Sequence, residues 1–249
     1  MALIERVRDL WVGLAGVATS FPPAGVRVVT AAGSRLAPPG WAGIVVLGDA
    51  GIATVPHPGV ARYLHGSLSG RPASEAVDAG RWRDRPEIQG VLGPAALAYL
   101  DERNFERVPD SSGTPEVLPP GHPDLGRLLG RVGADEAGES GIEEATSPVF
   151  VVRDRSEVVA AAGYREWPGS VAHLCVLTDS RCRGRGLAGT VASAAVADAL
   201  RQALLPQWRA RLEPSRRLAR RLGFRELGTQ LSVQIAPVEA TDGEVLPRW

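Results

Sequence analysis

The sequence predicts a mixed α/β (α+β) protein, and two patterns carry that expectation. Between Pro148 and Ile235, strand-like and helix-like segments follow one another as three strands, helix, strand, helix, strand. The first 108 residues also mix valine-rich runs with amphipathic ones. Hydrophobic residues make up 44% of the chain, enough to build a core.

The chain has 249 residues, against roughly 100–200 for a typical domain, which allows one large domain or two small ones. Lys+Arg and Asp+Glu are equal at 28 each. That balance gives no global attraction to nucleic acid or an anionic membrane, and neither is expected as a partner. Scarce methionine beside abundant alanine, arginine and glycine suggests a GC-rich bacterial genome. The opening "MALIERVRDLWVGLAGVATS" is too charged for a membrane span or signal peptide. A cytoplasmic protein with reduced Cys175 and Cys182 is expected, the two read as small packing residues. The four histidines lack metal-ligand spacing with either cysteine, so no metal is expected.

Taken in order, residues 2–18 carry Leu3, Val7, Leu10, Leu14 and Val17 as one apolar helical stripe, stopped at Pro22-Pro23. "GVRVVTA", "WAGIVVLG" and "GIATV" read as strands. "GVARYLHGSL" and "GPAALAYLDE" read as helices, the second with Pro94 in its first turn. "VPDSSGTPEVLPPGHPD" is too rich in proline and glycine for a helix or central strand and is taken as a linker or long surface loop. Residues 124–132 and 138–144 suit short helices. "PVFVVRD", "EVVAAAGYREW" and "SVAHLCVLTD" are three strands, the first two spaced for a hairpin. A glycine-arginine turn leads into the alanine-rich helix 187–200. "LPQWRARL" is a strand, "PSRRLARRLGF" a helix ended at Gly223, and "FRELGTQLSVQI" an edge or hairpin strand.

The turn "SRCRGRGLAG" holds the chemistry. A turn between a strand and a helix N-terminus exposes free N–H groups and the positive end of the helix dipole, an anion site suited to phosphate. Gly184 and Gly186 allow close backbone approach, and Arg181, Arg183 and Arg185 add charge. The absence of lysine excludes a P-loop. Gly184, Gly186 and Gly189 fit the dinucleotide spacing, but the turn follows hairpin-like strands rather than opening a βαβ unit.

Arg181, Gly184 and Gly186 in R-x-x-G-x-G, the preceding "HLCVLTD", the small-residue helix and the later "SRRLARRLGFRELG" together resemble the GNAT N-acetyltransferase superfamily, over residues 148–235. The resemblance implies a central mixed, mostly antiparallel sheet and acetyl-CoA as co-substrate. Its pyrophosphate would lie on the N–H groups of Arg181, Cys182, Arg183, Gly184, Arg185 and Gly186, and on the helix start at Leu187, Ala188 and Gly189. The pantetheine arm would pair with Val176, Leu177 and Thr178, and Ser215 matches a serine of the family. An acetyl group would pass directly to a primary amine of a small molecule or peptide.

The sequence departs from the family at Leu212, where many members carry asparagine, and at Ala219, where many carry a tyrosine acid. The departure leaves a non-catalytic acyl-CoA-binding module as the alternative function. His173, on the strand beside the proposed thioester, and Glu166, at the end of the strand before it, are the candidate bases. Tyr164 and Trp167 are core residues or acceptor-site walls. Arg216, Arg217, Arg220 and Arg221 form a solvated basic face or a contact for the CoA 3′-phosphate.

The expected organisation is an α/β domain over 1–108, a linker 109–123, the acetyl-CoA-binding domain 124–237 and a tail 238–249. The first domain is read as a degenerate copy of the same fold or a cap, and the protein as a monomer or homodimer.

Overall fold

The computed structural model describes residues 2–109 and 114–236, so the expected tail 238–249 and part of the linker lie outside the described residues. The chain divides into two compact units. One runs to Ala95 and resumes at Gly228, and the other is Ala96–Leu227.

In the first unit, helix α1 (Leu3–Ala15) buries Val7, Leu10 and Leu14 of the stripe read from spacing, with Trp11 beside them, while Val17 lies beyond the helix and is exposed, and Gly16 ends the helix in the left-handed region at φ 68°. Strands β1 (Gly25–Thr30), β2 (Ala42–Leu47) and β3 (Ala50–Val55) follow. β2 and β3 form an antiparallel hairpin, and β1 runs parallel to β3. Helix α2 (Pro58–Leu68) carries proline in its first turn and buries Val60, Leu64 and Leu68, one residue per turn. Short helices α3 (Ala73–Ala76) and α4 (Ala79–Arg83) close the layer, with Trp82 fully buried and its indole N–H on the Ala76 carbonyl at 3.0 Å.

Two sequence expectations differ here. "GPAALAYLDE" is the end of strand β4 (Ile88–Tyr99), not a helix. Its alanine-rich run has helical propensity, but a short apolar run does not by itself distinguish a helix from a buried strand. The final segment, strand β10 (Arg225–Ile235), is not at an edge: it lies between β2 and β4 in the order β1-β3-β2-β10-β4. Its polar residues Gln230 and Ser232 are buried, and the Gln230 amide donates to the Leu36 carbonyl at 2.7 Å.

The second unit contains strands β5 (Glu116–Leu118), β6 (Val149–Asp154), β7 (Glu157–Trp167), β8 (Val171–Thr178) and β9 (Leu205–Ala210), ordered β4-β9-β8-β7-β6-β5. β5 lies inside the segment read as a linker. Three residues suffice to pair it antiparallel with β6, at the end of the sheet where its prolines cost no central ladder bond. All other pairings here are antiparallel except β8 with β9.

Helix α7 (Leu187–Arg201) packs on one sheet face with Ala172, Leu174 and Trp208, and its small residues allow close approach. Helix α5 (Pro123–Leu129) packs on the other face with Cys175 and Leu177. Helices α6 (Ala134–Ser140) and α8 (Glu213–Arg221) complete the unit. Among the described residues no helix is long and apolar enough to cross a membrane. The result is a mixed α/β fold with a mostly antiparallel sheet, as the sequence predicts.

Candidate functional site

Strands β8 and β9 pair only through Val171–His173 with Leu205–Gln207. Beyond that point they part. β9 turns to pair with β4 through Gln207–Ala210, while the edge of β8 from Leu174 to Thr178 finds no second strand partner among the described residues. A cavity of about 640 Å³ fills the opening. Leu174, Val176 and Thr178 line one wall, and Trp208 and Ala210 the other. The Thr178 hydroxyl is buried without a hydrogen-bond partner among the described residues.

The glycine-arginine turn forms the end of this cavity. Gly184 has φ 76° and Gly186, the residue that caps α7, has φ 79°. Both conformations are left-handed, where an L side chain is strained, so the turn requires glycine. A Cβ on Gly184 would meet nothing within 4 Å, so the space in front of the backbone is open. Gly186 offers no side-chain cap to α7, which leaves the helix's first N–H groups for another acceptor.

Of the residues expected to hold a phosphate-bearing ligand, Val176, Leu177, Thr178, Cys182, Arg183 and Gly184 line the cavity. Gly186, Leu187, Ala188, Gly189 and Ser215 line it too. Arg181 and Arg185 do not. Arg181 closes on Asp179, with Nη2 2.7 Å from Oδ2, and Arg185 on Asp154 at 3.2 Å. Arg183 meets Glu136 of α6 at the cavity wall. A cluster of like charges without an anion is costly, and nearby carboxylates offset it.

The two candidate bases are not brought together. His173 stands opposite Arg165 and Glu166 opposite Ala172, and successive residues point to opposite faces, so they lie on different faces of the sheet. Neither lines the cavity. His173 sits at the last β8–β9 pair, its Nδ1 bonded to Gln207 Oε1 and its ring stacked on Trp167 at 4.4 Å. Burial lowers its pKa to about 4, against the smaller raising effect of the Gln207 hydrogen bond, so the imidazole is neutral at pH 7. Glu166 is exposed, with its backbone N–H on Thr146 Oγ1 at 3.0 Å.

Tyr164 is core: its hydroxyl donates to Asp198 of α7 at 2.8 Å, and burial is the main cause that raises its pKa. Burial likewise pushes the Cys175 thiol up to about 12, so it stays protonated. On α8, Arg216 and Arg220 pair with Glu226 of β10, Arg220 also with Glu213 of the helix itself, and Arg221 reaches the cavity. No group of three or more His, Cys, Asp or Glu that could hold a metal ion occurs among the described residues.

Sequence reasoning passed over Trp208 and the wall formed by α6. Nothing in "LPQWRARL" distinguishes a cavity-lining tryptophan from a core one. Only the fold sets Glu136 and Glu139 at the cavity, with Glu139 paired to Arg211 at 2.9 Å.

Residues 148–229 match the GNAT acetyltransferase family model. The matched region contains β6 to β9, α7, α8 and the start of β10, and so includes the parted strands and the glycine turn. No curated protein matches the chain. Similar solved structures include a GNAT-family acetyltransferase from Novosphingobium aromaticivorans DSM 12444, 22% identical, covering 59% of this chain and 67% of that one, TM-score 0.48. A GCN5-related N-acetyltransferase from Kribbella flavida is 16% identical, covering 60% of each chain, TM-score 0.47. A tandem GNAT protein from the clavulanic acid biosynthesis pathway is 14% identical, covering 95% of this chain and 96% of that one, TM-score 0.43. The chain thus spans about two thirds of the first protein's length and less of the second's.

Proposed function

We propose that the chain is an acyl-CoA-dependent N-acyltransferase, moving an acetyl group from acetyl-CoA to a primary amine of a small molecule or peptide by direct transfer. One observation carries this reading: the unpaired edge of β8 runs alongside a cavity that ends on the glycine-shaped N-terminus of α7.

Each part suits one part of acetyl-CoA. A pantetheine arm is an extended chain with two amides, and it pairs with a free strand edge as a β-strand does. The pyrophosphate suits the first N–H groups of α7 and the open backbone at Gly184, with Arg183 beside it. The apolar wall of Leu174, Val176 and Trp208 suits the thioester end. A backbone N–H on the parted edge would polarise the carbonyl. In this reading the acyl-CoA site belongs to residues 124–237. His173, neutral at pH 7, is the first candidate to take the amine proton, and Glu166 the second.

Binding to the native state alone raises the melting temperature by mass action. Acetyl-CoA should therefore shift the melt, and free CoA should appear when the right amine is supplied from a panel. A folded protein whose melt does not move at millimolar acetyl-CoA overturns the reading. Binding without CoA release across the panel favours the non-catalytic module, to which Ala219 and Leu212 point.

A further inference from the structure

Strands β8 and β9 end their pairing on one rung, His173 opposite Gln207, and the next residues along, Leu174 and Trp208, already line the cavity. Gln207 is fully buried, and its Oε1 meets His173 Nδ1. An amide oxygen only accepts, so the ring nitrogen that faces it carries the proton. A neutral imidazole holds one ring proton, which leaves the lone pair on Nε2. That nitrogen makes no hydrogen bond among the described residues.

Two further features belong to this rung. The Trp167 indole stacks on the imidazole, with centres 4.4 Å apart and planes 14° from parallel, and so fixes the ring plane. The Gln207 nitrogen is buried without a hydrogen-bond partner among the described residues. Turning the amide over would satisfy that N–H on Nδ1, but it would move the imidazole proton to Nε2. An unmade buried donor opposes the fold, and such groups recur where a side chain serves a reaction. The charged neighbours of the ring are Arg165 of β7 and Arg209 of β9, and both oppose its protonation. Glu144 pairs with Arg165, and Glu139 of α6 and Glu144 offset the charge of Arg209. Helix α7 lies on the opposite sheet face, with Ala172 and Leu174.

Resting on the acyltransferase reading, we propose that Gln207 is a positioning residue: its amide oxygen holds the imidazole proton of His173 on Nδ1 and so keeps Nε2 as the base for the acceptor amine. The amine gives its proton to Nε2 as its nitrogen bonds the acyl carbon. The C–S pair leaves on sulfur, and the imidazolium returns the proton to the thiolate or to water. Gln207 gains and loses no proton. Its oxygen accepts from Nδ1–H throughout, and that bond favours the imidazolium as it forms.

The test reads the tautomer directly. Nitrogen-15 spectra of histidine-labelled protein contain four imidazoles, His57, His65, His122 and His173, and His173→Gln identifies the last. At pH 7 the native protein should show His173 with Nδ1 protonated and Nε2 bare. Gln207→Leu should give a mixture of tautomers and, with an acceptor in hand, lower kcat by about 10- to 100-fold at a nearly unchanged KM for acetyl-CoA. Gln207→Glu keeps an oxygen acceptor. It should restore the Nδ1–H tautomer and move the acid limb of the rate profile up by about one pH unit or more. An Nε2–H tautomer in the native protein overturns the role of Gln207, and so does a Gln207→Leu variant with native tautomer and turnover. Both results leave the acyl-CoA site standing. A native protein that releases no CoA with any amine overturns the acyltransferase reading, and the base role of His173 with it, whichever tautomer the spectra show.

Discussion

Asp179 is fully buried and holds Arg181 with both carboxylate oxygens, Nε to Oδ1 at 3.1 Å and Nη2 to Oδ2 at 2.7 Å, while the Arg181 backbone N–H also bonds Oδ1 at 3.0 Å. Arg131 adds a further bond to Oδ2 at 3.1 Å. Asp179 thus ties the end of β8 to the glycine turn, and Arg181 shapes the turn rather than facing the cavity. Asp179→Asn should destabilise the protein by about 2 kcal/mol in urea unfolding, the scale of hydrogen bonds to a buried charge. The Arg181 hydrogen bond, first among the causes, holds the carboxyl below the usual carboxylate range. Its contribution is therefore complete above the unfolded carboxylate pKa and is lost as pH falls. The stability gap between the native protein and Asp179→Asn should narrow between about pH 4 and pH 2.

Gly184→Ala tests the phosphate cradle with little damage to the fold. The new methyl has open space, so the cost is the left-handed backbone at φ 76°, about 1 kcal/mol. CoA affinity, measured by calorimetry, should fall about tenfold or more because the methyl stands where the backbone meets the ligand. Normal binding in this variant would move the phosphate site elsewhere.

Gly223→Ala should behave in the opposite way. At φ 91° a Cβ would lie 1.8 Å from the Asn104 carbonyl oxygen, so backbone must move. A loss of about 3 kcal/mol or more is expected in thermal or urea unfolding, the range of large mutational effects. A variant as stable as the native protein would contradict this packing.

His173→Gln separates a base from a packed histidine. Loss of a general base costs about 10²–10⁴ in turnover, with little change in the Michaelis constant for acetyl-CoA. With a pKa of about 4, the acid limb of the rate profile should fall near pH 4 in the native enzyme rather than near the ordinary histidine value of 6.5. The same depression has a stability signature. The unfolded chain takes up a proton on His173 that the folded one resists, so stability falls as pH drops from 6.5 to about 4. His173→Gln should flatten that slope. Native-like turnover and an unchanged pH profile would assign His173 to packing.

Glu136→Gln should tighten CoA binding a few-fold at low salt by releasing Arg183 from its carboxylate partner at the cavity. Affinity that does not change with this substitution would mean Arg183 stays apart from the phosphates.

The sequence by itself determined the local decisions. The stripe Leu3–Leu14, the valine-rich strands, the alanine-rich α7 and the glycines at 184 and 186 each follow from periodicity, propensity or backbone freedom, and those are properties of neighbouring residues. The stretch of the cavity from Val176 to Gly189 was legible for the same reason, because strand end, turn and helix start are contiguous there. Only the tertiary structure decided what joins distant segments. It made "GPAALAYLDE" a strand, since a partner at β9 outweighs alanine's helical propensity. It buried the polar face of β10 by supplying Gln230 with the Leu36 carbonyl, 194 residues away. It turned Arg185 onto Asp154, 31 residues away, and it set Trp208 against Ser215 at the point where β8 and β9 part. A charge or a hydrogen-bond donor is visible in a sequence, but its partner is chosen by packing, and the partner decides which groups remain available to a ligand.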